Sequence, residues 1–157
     1  MFEGLISIRD AHDLTQNDIA NIIGVTRTVI SKWESGKVII PLSHLNDYAN
    51  YFNVSLDYLV GITRKMRYDD CVNNLNKKLI GKRIKEFRKK NNLSIRKLAK
   101  ELNTTPSTIS AYENGKVLIL TIFAYQIALK YSISMDWLIG RADKMYIINI
   151  KRLKTNV

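Results

Sequence analysis

A block of eight residues occurs twice in this chain. Ser31-Lys32-Trp33-Glu34-Ser35-Gly36-Lys37-Val38 returns 79 positions later as Ser110-Ala111-Tyr112-Glu113-Asn114-Gly115-Lys116-Val117. At the same offset, Ser55-Leu56-Asp57-Tyr58-Leu59-Val60-Gly61 returns as Ser134-Met135-Asp136-Trp137-Leu138-Ile139-Gly140. Residues 14–61 align with 93–140 without a gap, and 15 of the 48 positions are identical. Many others exchange like for like, Ile19 with Leu98 and Val54 with Ile133 among them. An ungapped repeat of this length implies two copies of one small domain in place of a single larger core. The boundaries read from it are 1–63 for domain 1, 64–77 for a linker, 78–141 for domain 2 and 142–157 for a tail.

Each copy reads as five short helices. Thr15 is placed to cap a helix that runs to Ile23, with Asp18 at its third position. Gly24 ends it, and Asn103 stands in the equivalent place. Thr26 and Thr105 are caps for the next helix, and Pro106 suits a first helical position. That helix reaches Glu34 or Glu113 and stops before Gly36 or Gly115. A fourth helix spans about 42–52, where Leu45, Tyr48, Ala49 and Phe52 have helical spacing. A fifth starts at Ser55, and a first covers 2–12, with 80–91 as its counterpart. The expected fold is all-α: two tandem five-helix domains.

The second and third helices, joined by a three- or four-residue turn, have helix-turn-helix geometry. The residues that carry a family resemblance are Leu14-Thr15-Gln16, Ala20, Gly24-Val25-Thr26, Ile30-Ser31-Lys32-Trp33-Glu34-Ser35-Gly36-Lys37 and Val54 through Gly61. In the second copy they are Leu93-Ser94, Ala99, Thr108-Ile109-Ser110, Tyr112 through Lys116 and Met135 through Gly140. Both sets resemble the Cro and phage-repressor type helix-turn-helix, the xenobiotic-response-element family, with its lambda-repressor-like domain. The likeness covers about 125 of the 157 residues. It implies a DNA-binding regulator. Some members bind proteins through the same scaffold, so a protein-binding regulator of antitoxin or phage-immunity type is the competing expectation.

In such a motif the third helix enters the major groove. The residues expected to face DNA in domain 1 are Thr26, Arg27 and Thr28, then Ser31 and Lys32 one turn later. Arg can donate two parallel bonds to guanine O6 and N7, Lys can reach the same atoms, and the Thr methyl suits thymine. Gln16 matches a family position that touches phosphate or a base, and Lys37 is placed for the next phosphate. Domain 2 departs from this set. Ile95 replaces Gln16, Pro106 replaces Arg27 and Ala111 replaces Lys32. Ser107 and Ser110 remain of the base-reading set, and Asn114 and Lys116 suit phosphates. The resemblance also pairs Arg9 with Glu34 and Arg88 with Glu113, as partly buried ion pairs that fix the third helix.

Charge is divided the other way. The chain carries a formal +11. Residues 1–61 are net −3 and residues 78–140 net +8. Lys82, Arg83, Lys85, Arg88, Lys89 and Lys90 crowd one helix of domain 2, and Arg96, Lys97 and Lys100 follow. A balance like this points to a polyanion partner. The inferred division has domain 1 choosing sequence while Lys85, Lys89 and Lys97 of domain 2 hold backbone. The rival reading is that domain 2 solubilises the chain or docks an acidic protein.

Other classes fall away. His12 and His44 are isolated and have no metal-ligand spacing. No Gly-rich phosphate loop or nucleophile set is recognisable, so no enzyme, metal or cofactor is expected, and no small-molecule ligand is evident. The longest uncharged run, Val117–Leu129, has 13 residues, short of the roughly 20 that span a membrane. One Cys and no secretory signal imply a cytoplasmic protein. The apolar loops 38–41 and 117–120 should each send one residue into the core, leaving the rest for contact between domains or chains. A homodimer is expected, and a protein effector is a further expected partner. Residues 67–79 read either as an amphipathic helix or as a surface linker, and 146–150 either as a strand or as loose chain.

Overall fold

A computed structural model describes residues 2–148. Ten helices lie among them, and no strand longer than an isolated bridge. They are α1 (Glu3–Asp10), α2 (Gln16–Ile23), α3 (Arg27–Glu34), α4 (Leu42–Tyr51), α5 (Leu56–Leu59), α6 (Lys77–Lys90), α7 (Ile95–Glu101), α8 (Pro106–Glu113), α9 (Thr121–Tyr131) and α10 (Met135–Leu138). The described chain divides into two compact units, residues up to Asp69 together with Ile148, and Asp70–Ile147.

Local chemistry explains most helix ends. Ahead of α2, the Thr15 hydroxyl accepts from the Asp18 N–H while the Asp18 carboxylate accepts from the Thr15 N–H at 2.7 Å, a closed capping box. The Thr15 hydroxyl, 2.6 Å from the same carboxylate, and then the Thr15 N–H hold the Asp18 carboxyl below its ordinary value. Gly24 turns out of α2 at φ 78°, and Asn103 does the same after α7 at φ 53°. Thr105 caps α8 with Pro106 in the first turn. Thr26, its equivalent, makes no side-chain cap bond.

The apolar positions converge as their spacing requires. Leu5, Ile8, Ile19, Ile30, Leu45, Leu56 and Leu59 are buried in unit 1, and Ile84, Phe87, Leu98, Ile109, Ala124, Met135 and Leu138 in unit 2. Each apolar loop sends one residue inward, Ile40 and Ile119, while Val38, Val117 and Leu120 are exposed. Two glycines allow helices to touch. A Cβ on Gly4 would sit 2.3 Å from the Leu59 carbonyl oxygen, and one on Gly81 2.4 Å from that of Tyr112.

The segment joining the repeats is not helical. No helix covers residues 64–76, and α6 opens at Lys77 with Asn76 as its cap. Its first part belongs to unit 1: the Ser55 N–H donates to the Met66 carbonyl at 2.5 Å, and the buried Tyr68 donates its hydroxyl to Asp57 at 2.9 Å. Its second part belongs to unit 2. The Asp70 carboxylate accepts from the Asp143 and Lys144 N–H groups, both at 2.9 Å, and from the Tyr146 hydroxyl at 2.8 Å. The helical reading fails because Tyr68, Val72, Leu75 and Leu79 do not share a face; Tyr68 is buried on unit 1 and Val72 is exposed.

Beyond α10 the chain runs back along the start of that helix. The Ser134 N–H donates to the Tyr146 carbonyl at 2.9 Å, and Ile133 and Ile147 form an antiparallel bridge. The rest of the expected strand, Asn149 and Ile150, lies outside the described residues. Cys71 lies beside a buried ion pair, with Sγ 3.9 Å from both Asp136 Oδ1 and Arg141 Nη2, which themselves belong to side chains paired at 3.2 Å.

Candidate nucleic-acid interface

The two third helices are held by the same device. In unit 1 the Arg9 Nε donates to Glu34 Oε1 at 2.6 Å and its Nη2 to Oε2 at 3.2 Å, while Nη1 donates to the Leu14 carbonyl at 2.8 Å. In unit 2 the Arg88 Nε donates to Glu113 Oε1 at 2.5 Å, Nη2 to Oε2 at 3.0 Å, and Nη1 to the Leu93 carbonyl at 2.9 Å. Each guanidinium therefore ties the last residue of the third helix to the first helix and to the entry of the second. The bonds to Glu34 and Glu113 raise both arginines above their ordinary value, against the opposing effect of burial. These are the pairs that the resemblance implies.

Unit 1 adds one bond. The Gln16 Nε2 donates to Glu34 Oε2 at 2.9 Å, so in this structure Gln16 joins α2 to α3. Sequence reasoning placed Gln16 on DNA and missed this role, because its partner lies 18 residues away with no periodic signal. Ile95 cannot make the bond in unit 2.

Burying Ile30, Trp33 and Glu34 sets the opposite side of α3 outward. Arg27, Thr28 and Lys32 are exposed, as are Thr26 before the helix and Lys37 after it; Ser31 is half-buried. In unit 2, Ser107 and Lys116 are exposed. Ser110 is half-buried and engaged with Asn114, whose amide donates to the Ser110 carbonyl at 2.9 Å and lies 3.2 Å from its hydroxyl. The two belong to one local cap at the end of α8.

The basic residues of α6, apart from the exposed Lys77 and Lys90 at its two ends, sort into two groups. Arg88 is tied to Glu113, and Arg83 is buried, with Nη1 donating to the carbonyls of Trp137 and Ala142. Burial holds the Arg83 guanidinium below its ordinary value. The second group, Lys78, Lys82, Lys85 and Lys89, is exposed. Its spacing of 4, 3 and 4 makes one helical stripe away from the core. Lys78 was not singled out from the sequence, although that spacing is legible there. Lys97, in the first turn of α7, is exposed too.

A core-anchored third helix with polar outer positions, repeated once, defines a tandem helix-turn-helix protein, and comparison bears this out. Residues 5–59 match the family described as Helix-turn-helix, and residues 81–144 the family described as Helix-turn-helix domain. Both matched segments are helix-turn-helix domains, consistent with the Cro and phage-repressor type.

Two curated relatives are similar over part of the chain. One is the HTH-type transcriptional activator BcrR of Enterococcus faecalis, 35% identical over 78 residues, which is 50% of this chain and 38% of that protein. The other is Antitoxin PezA of Streptococcus pneumoniae serotype 4, 36% identical over 55 residues, 35% of either chain. The match thus spans little more than a third of the length of each relative. No solved structure matches the chain.

Proposed function

We propose that this chain is a regulator of transcription that binds double-stranded DNA by sequence. In this reading α3 enters the major groove, Arg27 and Lys32 meet guanine edges, and Thr28 and Ser31 lie against neighbouring bases. Thr26 and Lys37 flank the helix for phosphates. Unit 2 holds backbone through Lys85, Lys89, Lys97 and Lys116. Binding over a promoter makes repression the direct output, and a homodimer doubles the site. The observation that carries the reading is the outward set Arg27, Thr28 and Lys32 on a helix fixed by the Arg9–Glu34–Gln16 network. Selection from a random duplex library tests it, followed by a salt titration of the winning sequence. Recovery of no preferred sequence would overturn it. A promoter fusion carrying the selected site then separates repression from activation, the role that BcrR carries in its name.

The second reading is a regulator that binds another protein. It draws support from the likeness to an antitoxin, the acidic unit 1 and the exposed Val38, Val117 and Leu120. A chain that selects no duplex but captures one protein partner at stoichiometric level would favour it.

A further inference from the structure

α8 stands where α3 stands in the repeat, but it offers different chemistry. Pro106 and Ala111 occupy the places of Arg27 and Lys32; Pro106 is exposed and Ala111 half-exposed. The polar side chains nearby are turned on one another. The Thr105 and Thr108 hydroxyls lie 2.9 Å apart, and Asn114 is folded onto Ser110. Ser107 is the short exposed hydroxyl between them. No side chain of α8 has both a cationic donor and the reach that guanine O6 and N7 require. What α8 presents at its two reading positions is a pyrrolidine ring and a methyl group. In the major groove, a thymine C5 methyl is the base-edge feature that apolar groups of this size recognise.

We propose that α8 reads thymine methyl groups through Pro106 and Ala111, so that unit 2 has a base preference of its own. The inference rests on the reading that unit 2 lies on DNA. Under it, the lysines of unit 2 supply affinity and the apolar pair supplies discrimination. The two units then select opposite compositions: guanine under α3, thymine under α8. The exchange of Arg27 for Pro106 and of Lys32 for Ala111 is what separates them.

The test uses the full chain on its selected duplex. Thymines in the stretch beyond that affected by Arg27→Ala are replaced one at a time by deoxyuridine, which removes the methyl and nothing else. Affinity should fall about fourfold for each methyl fully buried in the contact, the equivalent of about 0.8 kcal/mol per carbon. A Pro106→Arg, Ala111→Lys chain, checked for helix content, should select guanine in the same stretch. Deoxyuridine without effect in a stretch still protected from cleavage would overturn the proposal and leave unit 2 holding backbone alone. A stretch left unprotected would overturn the underlying reading of unit 2, and the proposal with it. The deoxyuridine series requires no variant, so a misfolded substitution does not rescue the idea.

Discussion

Glu34 and Glu113 sit where little water reaches them, with side chains only 4% and 5% exposed. A carboxylate there is tolerable because both oxygens accept from a guanidinium. Such a pair adds little net stability over an apolar replacement, but removing one partner strands the other charge. Arg9→Ala should therefore lower the stability of unit 1 by about 3–5 kcal/mol, read as a fall in the urea midpoint. Arg27→Ala should leave that midpoint in place and weaken specific DNA binding by about 1–3 kcal/mol, with relaxed preference at one base pair. If Arg27→Ala leaves the selected sequence unchanged, α3 does not read bases through that residue. The two arginines separate by surroundings alone, one tied into a network and one turned to solvent.

At the scale of elements, the strap between the repeats has its own electrostatics. Burial pushes the Asp70 carboxyl up, but the N–H groups of Lys144 and Asp143 and the Tyr146 hydroxyl outweigh it and leave it below its ordinary value. A carboxyl lowered in the folded state contributes stability above its unfolded value, near 3.9, and loses it as pH falls through the folded one. Acid should loosen unit 2 below about pH 4, and Asp70→Asn should shrink that loss. Equal acid limbs in the two proteins would remove Asp70 from the account. The outward lysines make a different prediction. Changing Lys85, Lys89 and Lys97 together to Ala should weaken binding to all sequences alike and flatten the slope of log affinity against log salt by about 0.9 per lost contact. An unchanged slope would place these lysines off the DNA.

These elements also mark how far the sequence can be read. Caps such as Thr15 and Thr105 were legible because local spacing places them ahead of helices, whereas Thr26 makes no such bond; the Arg–Glu pairs were legible only through the family resemblance. The strap was not. Tyr68 reaches Asp57 across irregular chain, and Asp70 reaches residues 73 to 76 positions away, so neither contact leaves a period to detect. The apparent 4-3-4 apolar spacing over 67–79 was a coincidence of composition. Within the candidate interface, exposure of Arg27, Thr28 and Lys32 followed from the burial of Ile30 and Trp33. The ties of Gln16 to Glu34 and of Asn114 to Ser110 did not, because a polar side chain chooses among partners only once the backbone is folded.

For the molecule as a whole, the strap changes how the domains should be cut. The repeat alone ends domain 1 near residue 63, but Met66 and Tyr68 supply bonds to the start of α5 and to Asp57. A fragment of residues 1–69 should melt at a higher temperature than one of residues 1–63; equal melting would show that Tyr68 adds nothing to unit 1. Footprinting then compares residues 1–69 with the full chain. The full chain should protect an additional, unlike stretch beside the one that both protect, and identical footprints would show that unit 2 stays off DNA. A typical repressor of this type has one such domain and a palindromic site. Under the proposed function, with both units on DNA, the expected unit site is asymmetric, and dimerisation would repeat it as a long inverted pair.

Cys71 turns the same strap into a gauge. It is the one thiol in the sequence, half-buried and set against the buried Asp136–Arg141 pair. A thiol reagent gains fuller access to it when residues near 71 lift away from α10. Its alkylation rate, compared with that of the unfolded chain, rises with that local opening. Read with and without duplex, that comparison follows how readily the strap lets go, with a clock already built into the chain.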